Sequence, residues 1–214
     1  MNLSPSSNRR RIIASVSLIM LAVVFLLNTL TGMMTGISAP SQARIALAGF
    51  IAVVSMVLMI ASVLGIMQIL RARADWIGLL GAASALIGWT AASRMGMIIQ
   101  FNALSESGTS GIPPNLPEFL SKSAPLVWAS IVPIGIFFPL GLITLGIALV
   151  WARPINWLFG LLLAIGGVLF PIGRALGMAW AITTCDIVLD VAFALIGWQI
   201  LTSPEIWAKS SSLD

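Results

Sequence analysis

The sequence predicts an all-α integral membrane protein, a bundle of six transmembrane helices with both termini cytoplasmic. Three observations carry that expectation. Of the 214 residues, 59% are hydrophobic and 8% are charged, which is more apolar surface than a soluble core of this size can hide. The apolar residues come in long runs, each near the length of about 20 residues that crosses a hydrocarbon layer roughly 30 Å thick. The basic residues fall at alternate ends of these runs, so one orientation puts nearly all of them on one side.

Met1 to Arg11 is short and polar and closes on Arg9, Arg10 and Arg11. The first span, about 12–34, is nearly uncharged and longer than the apolar part of a cleaved signal peptide, so it is expected to stay attached. Ser38, Ala39, Pro40 and Ser41 turn the chain into a second span, about 45–70, which ends on Arg71, Arg73 and Asp75. The third span is about 76–101. Residues 102–121 form the long polar external loop, rich in Gly and Pro, a tether or a lid. The fourth span, about 124–151, contains Pro133 and Pro139, each of which removes a backbone donor and is expected to bend it. The fifth and sixth spans are about 155–173 and 177–201, and the polar tail from Thr202 to Asp214 is expected to fray.

With the amino end inside, Arg9, Arg10, Arg11, Arg71, Arg73, Arg153 and Lys209 are cytoplasmic, against Arg44 and Lys122 outside. Trp76, Trp151, Trp157, Trp198 and Trp207 then gather at the inner interface, and Trp128 and Trp180 mark the outer one. The expected location is a bacterial inner membrane, crossed several times. Spans two and three also echo four and five as a tandem two-helix repeat. Leu64-Gly65-Ile66, Ala72-Arg73, Trp76 and Arg94 correspond to Leu145-Gly146-Ile147, Ala152-Arg153, Trp157 and Arg174. From tryptophan to arginine is 18 residues in one copy and 17 in the other.

Charges inside the apolar layer locate the candidate site. Asp186 and Asp190 are four apart and share one face of the sixth helix, about 13 and 20 Å below its outer end. Two bare carboxylates there would repel. An arginine partner, from Arg94 or Arg174, or a shared proton removes the conflict. Asn28, Thr29 and Thr31, Thr90, Ser93 and Arg94, and Thr183, Thr184 and Asp186 all fall in the outer half, which predicts a polar cavity opening outward and walled by Trp89 and Met95. The ligand-binding or proton-carrying set is therefore Arg94, Arg174, Asp186, Asp190, Trp89, Ser93 and Asn28. Gly81, Ala85, Gly88, Ala92 and Gly96 read as a close-packing strip.

Other chemistry finds little support. With no His and no Tyr, His-based metal sites and Ser-His or Cys-His catalysis are excluded. The single cysteine, Cys185, allows no internal disulfide and reads as a small buried residue. No phosphate-binding loop or dinucleotide fingerprint appears. No catalytic residue, cofactor or metal is expected. The expected partners are the lipid bilayer and a small-molecule or lipid ligand, with a second copy or a partner subunit as further options, and no nucleic acid.

Gly88-Trp89 followed by Ser93-Arg94, together with the six-span layout, resembles an uncharacterised bacterial family of multi-span membrane proteins, a domain of unknown function. The acid expected after that arginine is replaced by Met97 and Ile98. The resemblance covers most of the chain and implies no activity. Three functions stay open at this point. The first is binding or transport of a small or amphipathic ligand through the outward-opening site. The second is a membrane-embedded scaffold or partner subunit whose Arg-Asp cluster is structural. The third is an intramembrane acid-base enzyme using the two aspartates.

Overall fold

The computed structural model describes residues 4–35, 42–106, 124–176 and 178–211, and these residues contain no strand. Six helices follow one another: α1 Pro5–Thr35, α2 Gln42–Glu106, α3 Ala124–Ala152, α4 Trp157–Leu176, α5 Ala179–Thr202 and α6 Pro204–Ser211. Among the described residues, four stretches are long and apolar enough to cross a membrane: Pro5–Leu30, Phe50–Arg71, Gly135–Ala152 and Trp180–Thr202. Trp157–Gly173 is a shorter apolar helix beside them.

α2 has 65 residues and as a straight rod would be about 98 Å long. It breaks at Ala74, where φ is −143° and ψ is 35°, inside the polar run Arg71 to Asp75. A methyl group on Gly78 would lie 3.2 Å from Leu70 Cβ, whereas residues eight apart on a straight helix are about 12 Å apart. The chain therefore folds back, and α2 is two arms, 42–73 and 75–106.

The next reversal uses different chemistry. Arg153 takes a left-handed φ of 48°, the conformation glycine usually supplies just past a helix end, and its N–H donates to the Leu149 carbonyl at 3.0 Å. Asn156 then caps α4, its Oδ1 accepting from the Leu158 N–H at 3.1 Å. The Asn156 N–H in turn donates to Gln199 Oε1 at 2.9 Å, which ties the turn to the end of α5.

Two arginines satisfy carbonyls that helix ends leave unpaired. Arg11 Nη1 donates to the Leu201 carbonyl at 2.6 Å and to that of Ile200 at 3.3 Å, at the C-terminus of α5. Arg73 Nη1 donates to the Ala152 carbonyl at 3.0 Å, at the C-terminus of α3. A cation there satisfies a backbone acceptor and complements the negative end of the helix dipole.

The helices pack as a closed ring in which α1 meets α2 and α5, α2 meets α3, α3 meets α4, and α4 meets α5. Small residues set the tightest seam, between the arm 75–106 and α3. Any side chain on Gly88 would overlap the Phe138 backbone, and any on Gly141 would overlap the Ala85 backbone. Ser84 Oγ donates to the Phe137 carbonyl across the same seam at 2.8 Å. Lipid offers hydrocarbon no worse than a neighbouring leucine does, so helices in a bilayer associate through such close backbone contact and interhelical hydrogen bonds.

The outer surface is apolar, with Ile13, Phe50, Val57, Leu64, Ile147 and Val191 all exposed. Trp76 (69% exposed), Trp151, Trp157 and Trp198 (60%) stand out from the end that carries the Ala74 break and the turn after α3, and Trp180 (70%) from the opposite end. Trp207 departs from this pattern. The tail expected to fray instead forms α6, which packs against α1, α2 and α5 and buries Trp207 to 3% exposure. That ring is a core side chain, because the end of the bundle offers it an apolar seat that a tail read in isolation does not reveal. α3 runs through both Pro133 and Pro139 as one helix.

Candidate functional site: a polar cavity beside a buried aspartate

α5 divides its residues between two neighbours. Toward α4, Cys185 Sγ lies 3.4 Å from the Gly166 carbonyl, and any side chain on Gly166 would collide with Leu189. Toward α1, Gly197 lets the helices approach, since a methyl there would sit 2.8 Å from Leu18 Cβ and 2.9 Å from the Ser15 carbonyl. Seven residues are two turns to within about 20°, and eleven are three turns to within a similar angle. Asp190 and Asp186 therefore lie on the same stripe as Gly197, the one that α5 turns toward α1.

The two carboxylates have different surroundings. Asp190 is 7% exposed, and neither of its oxygens accepts a hydrogen bond from a described residue. Asp186, one turn closer to the Met178 end of α5, is half-buried and lines a cavity of about 50 Å³ with Phe25, Asn28 and Thr29 of α1, Trp89 of α2, Phe138 of α3, Phe170 of α4 and Leu189 of α5. Asn28 is exposed, so the polar edge of the cavity reaches the surface. Asn28 and Asp186 each engage another group of the protein. A space of this size takes a few waters or a small ion, well short of the roughly 300–1,000 Å³ of a pocket for a drug-sized ligand.

Aromatic rings form the apolar wall. Phe25 lies 4.9 Å from Trp89 and 6.2 Å from Phe193, Trp89 lies 5.1 Å from Phe138, and Phe138 lies 4.8 Å from Phe170, centroid to centroid. The geometries are tilted or edge-on, the arrangements that ring quadrupoles favour. The row draws one ring from each of α1 to α4 and one from α5, so the five longest helices meet at the cavity.

Of the residues singled out from sequence, Asn28, Trp89 and Asp186 converge on the cavity, and Asp190 sits one turn deeper without lining it. The side chains of Ser93, Arg94 and Arg174, like those of Thr31 and Met95, lie outside the described residues, as does most of the loop 102–121. Phe25, Phe138, Phe170 and Leu189 are the site residues that sequence reasoning missed. Each is one apolar residue within a long apolar run, and no local spacing distinguishes it. Among the described residues no three acidic or sulfur side chains converge as a metal centre would need.

Among the described residues the chain is thus all-helical, with four helices fit to cross a membrane, and a small, largely aromatic cavity between its helices carries a carboxylate on its wall. No family model, no curated protein and no solved structure matches it.

Proposed function

We propose that this protein crosses a bacterial inner membrane six times with both termini cytoplasmic, and binds or carries a small ligand through the cavity between α1, α2 and α5. The observation that carries this reading is Asp190. A carboxyl group this deep in an apolar layer is costly and marks a place where a partner, a proton or a ligand is held. One turn away, Asp186 faces a space suited to water or an ion. The pair resembles a relay, with Asp186 receiving the ligand or proton at the polar edge and Asp190 holding it deeper. Arg94 and Arg174 would neutralise the acids or hold an anionic group, and the size of the cavity favours a proton, a small ion or the head of an amphipathic ligand. The six-crossing count is supported by the reversal of α2 at Ala74 and by the close packing of its arm 75–106 on α3. The tandem repeat is supported by the Ala-Arg pair that stands at both reversals.

The test is proton flux into proteoliposomes, followed with a trapped pH-sensitive dye under a potassium diffusion potential. Wild type should dissipate the gradient, and Asp186→Asn and Asp190→Asn should each abolish flux while melting as wild type does. If wild type carries no flux, and Asp186→Asn and Arg94→Ala melt early while the double variant melts no lower than either, the cluster is structural and the chain is a scaffold.

A further inference from the structure

A second feature lies at the opposite end of the bundle. Between α1, α2 and α6 runs a groove of about 360 Å³, lined among others by Arg10, Ile13, Ala61, Leu64, Gln68 and Trp207, a volume within the range of ligand pockets. Its floor is set by small residues: α1 and α2 meet where a methyl on Gly65 would lie 2.5 Å from Ala14 Cβ. From Gln68 to Ala61 the groove descends about 10 Å along α2 and joins the exposed apolar face at Ile13 and Leu64. Its polar end lies at the level of the exposed tryptophans Trp76 and Trp198, the mark of a membrane boundary.

The three consecutive arginines have different roles here. Arg11 is committed to the carbonyls at the end of α5, while Arg10 is exposed and lines the groove. Glu205, the acid nearest in sequence to the Trp207 wall, is exposed and two residues away, so it points to another side of α6. A cation at the mouth, an amide beside it and an apolar cleft descending into the hydrocarbon layer are complementary to a phosphate joined to an acyl chain. We infer that the groove between α1, α2 and α6 is a binding site for an anionic phospholipid, with the phosphate at Arg10 and Gln68 and one acyl chain laid over Gly65 and Ala61.

The experiment is native mass spectrometry of the delipidated full chain, titrated with phosphatidylglycerol or phosphatidylcholine in the presence and absence of excess inorganic phosphate. The first phosphatidylglycerol should bind about fivefold more tightly than phosphatidylcholine, the factor that about 1 kcal/mol per basic residue at a membrane surface gives. It should also persist in inorganic phosphate. Arg10→Gln, a surface change that leaves melting intact, should remove the preference, and Ala61→Phe should remove the first adduct of both lipids by filling the cleft. Equal binding of the two lipids, a preference unchanged in Arg10→Gln, displacement by inorganic phosphate alone, or a dimer that Ala61→Phe dissociates would each overturn the proposal.

Discussion

Asp190 sets a stability question that a single substitution answers. Its carboxyl group is buried on the face that α5 turns toward α1 and accepts no hydrogen bond from a described residue, and a buried polar group left unsatisfied costs about 1–3 kcal/mol. Asp190→Val, which keeps a similar volume and needs no partner, should stabilise the protein by about that amount in a chemical-unfolding titration in micelles. A loss of stability would mean that the carboxyl group holds the helices together. This level of the site was legible in part. The four-residue spacing placed both aspartates on one face, and Asn28 and Trp89 stood out as polar or amphipathic residues in apolar surroundings. The ring row from Phe193 to Phe170 was not legible, because its members are brought together by tertiary packing alone. Nor does the run Arg9-Arg10-Arg11 show which arginine caps a neighbouring helix and which faces a groove, since that depends on where α5 ends.

Helices read clearly as elements, because uninterrupted apolar runs leave the backbone no alternative but to pair with itself. Their contacts were partly readable: Gly81, Ala85 and Gly88 form a small-residue strip, and the structure sets all three against α3. Their counterpart Gly141 carried no separate signal, since the depth at which α3 meets the arm 75–106 is a property of tertiary packing. Two glycines at the same end of this seam should respond oppositely to the same change. Gly88→Ala forces a carbon into the Phe138 backbone and should destabilise by about 1–3 kcal/mol or more. Among the described residues nothing lies within 4 Å of where a methyl group on Gly135 would sit, so Gly135→Ala should be neutral or stabilising by up to about 1 kcal/mol through the lower backbone entropy of alanine. Melting temperatures of the two variants in one detergent decide it. Equal losses would show that the seam is looser than these contacts require.

At the scale of the whole molecule, the basic residues whose side chains are described collect at one end. Gly65 lies on Ala14 and Arg10 shares a groove with Gln68, so the amino-terminal turn of α1 and the Ala74 reversal are at the same end. α6 packs there against α1 and α2. Arg9, Arg10, Arg11, Arg71 and Arg73 therefore stand together, and Arg153 joins them because Ala152 is held by Arg73. The opposite end is about 36 Å away along the 24 residues of α5, at Met178. The proposed orientation, with this basic end cytoplasmic by the positive-inside rule, can be tested directly. Cys185 is buried, so cysteines introduced at exposed positions report side without interference. With a membrane-impermeant maleimide, Ser4→Cys, Asp75→Cys and Glu205→Cys should react only in inside-out vesicles and Met178→Cys only in right-side-out ones. Asp75→Cys reacting from the side opposite Ser4→Cys would break the first hairpin and, with it, the six-crossing topology. The full set reacting with sides exchanged would keep the topology and invert the orientation. The cavity at Asp186 would then open toward the cytoplasm, and the flux assay would have to be run with the gradient reversed.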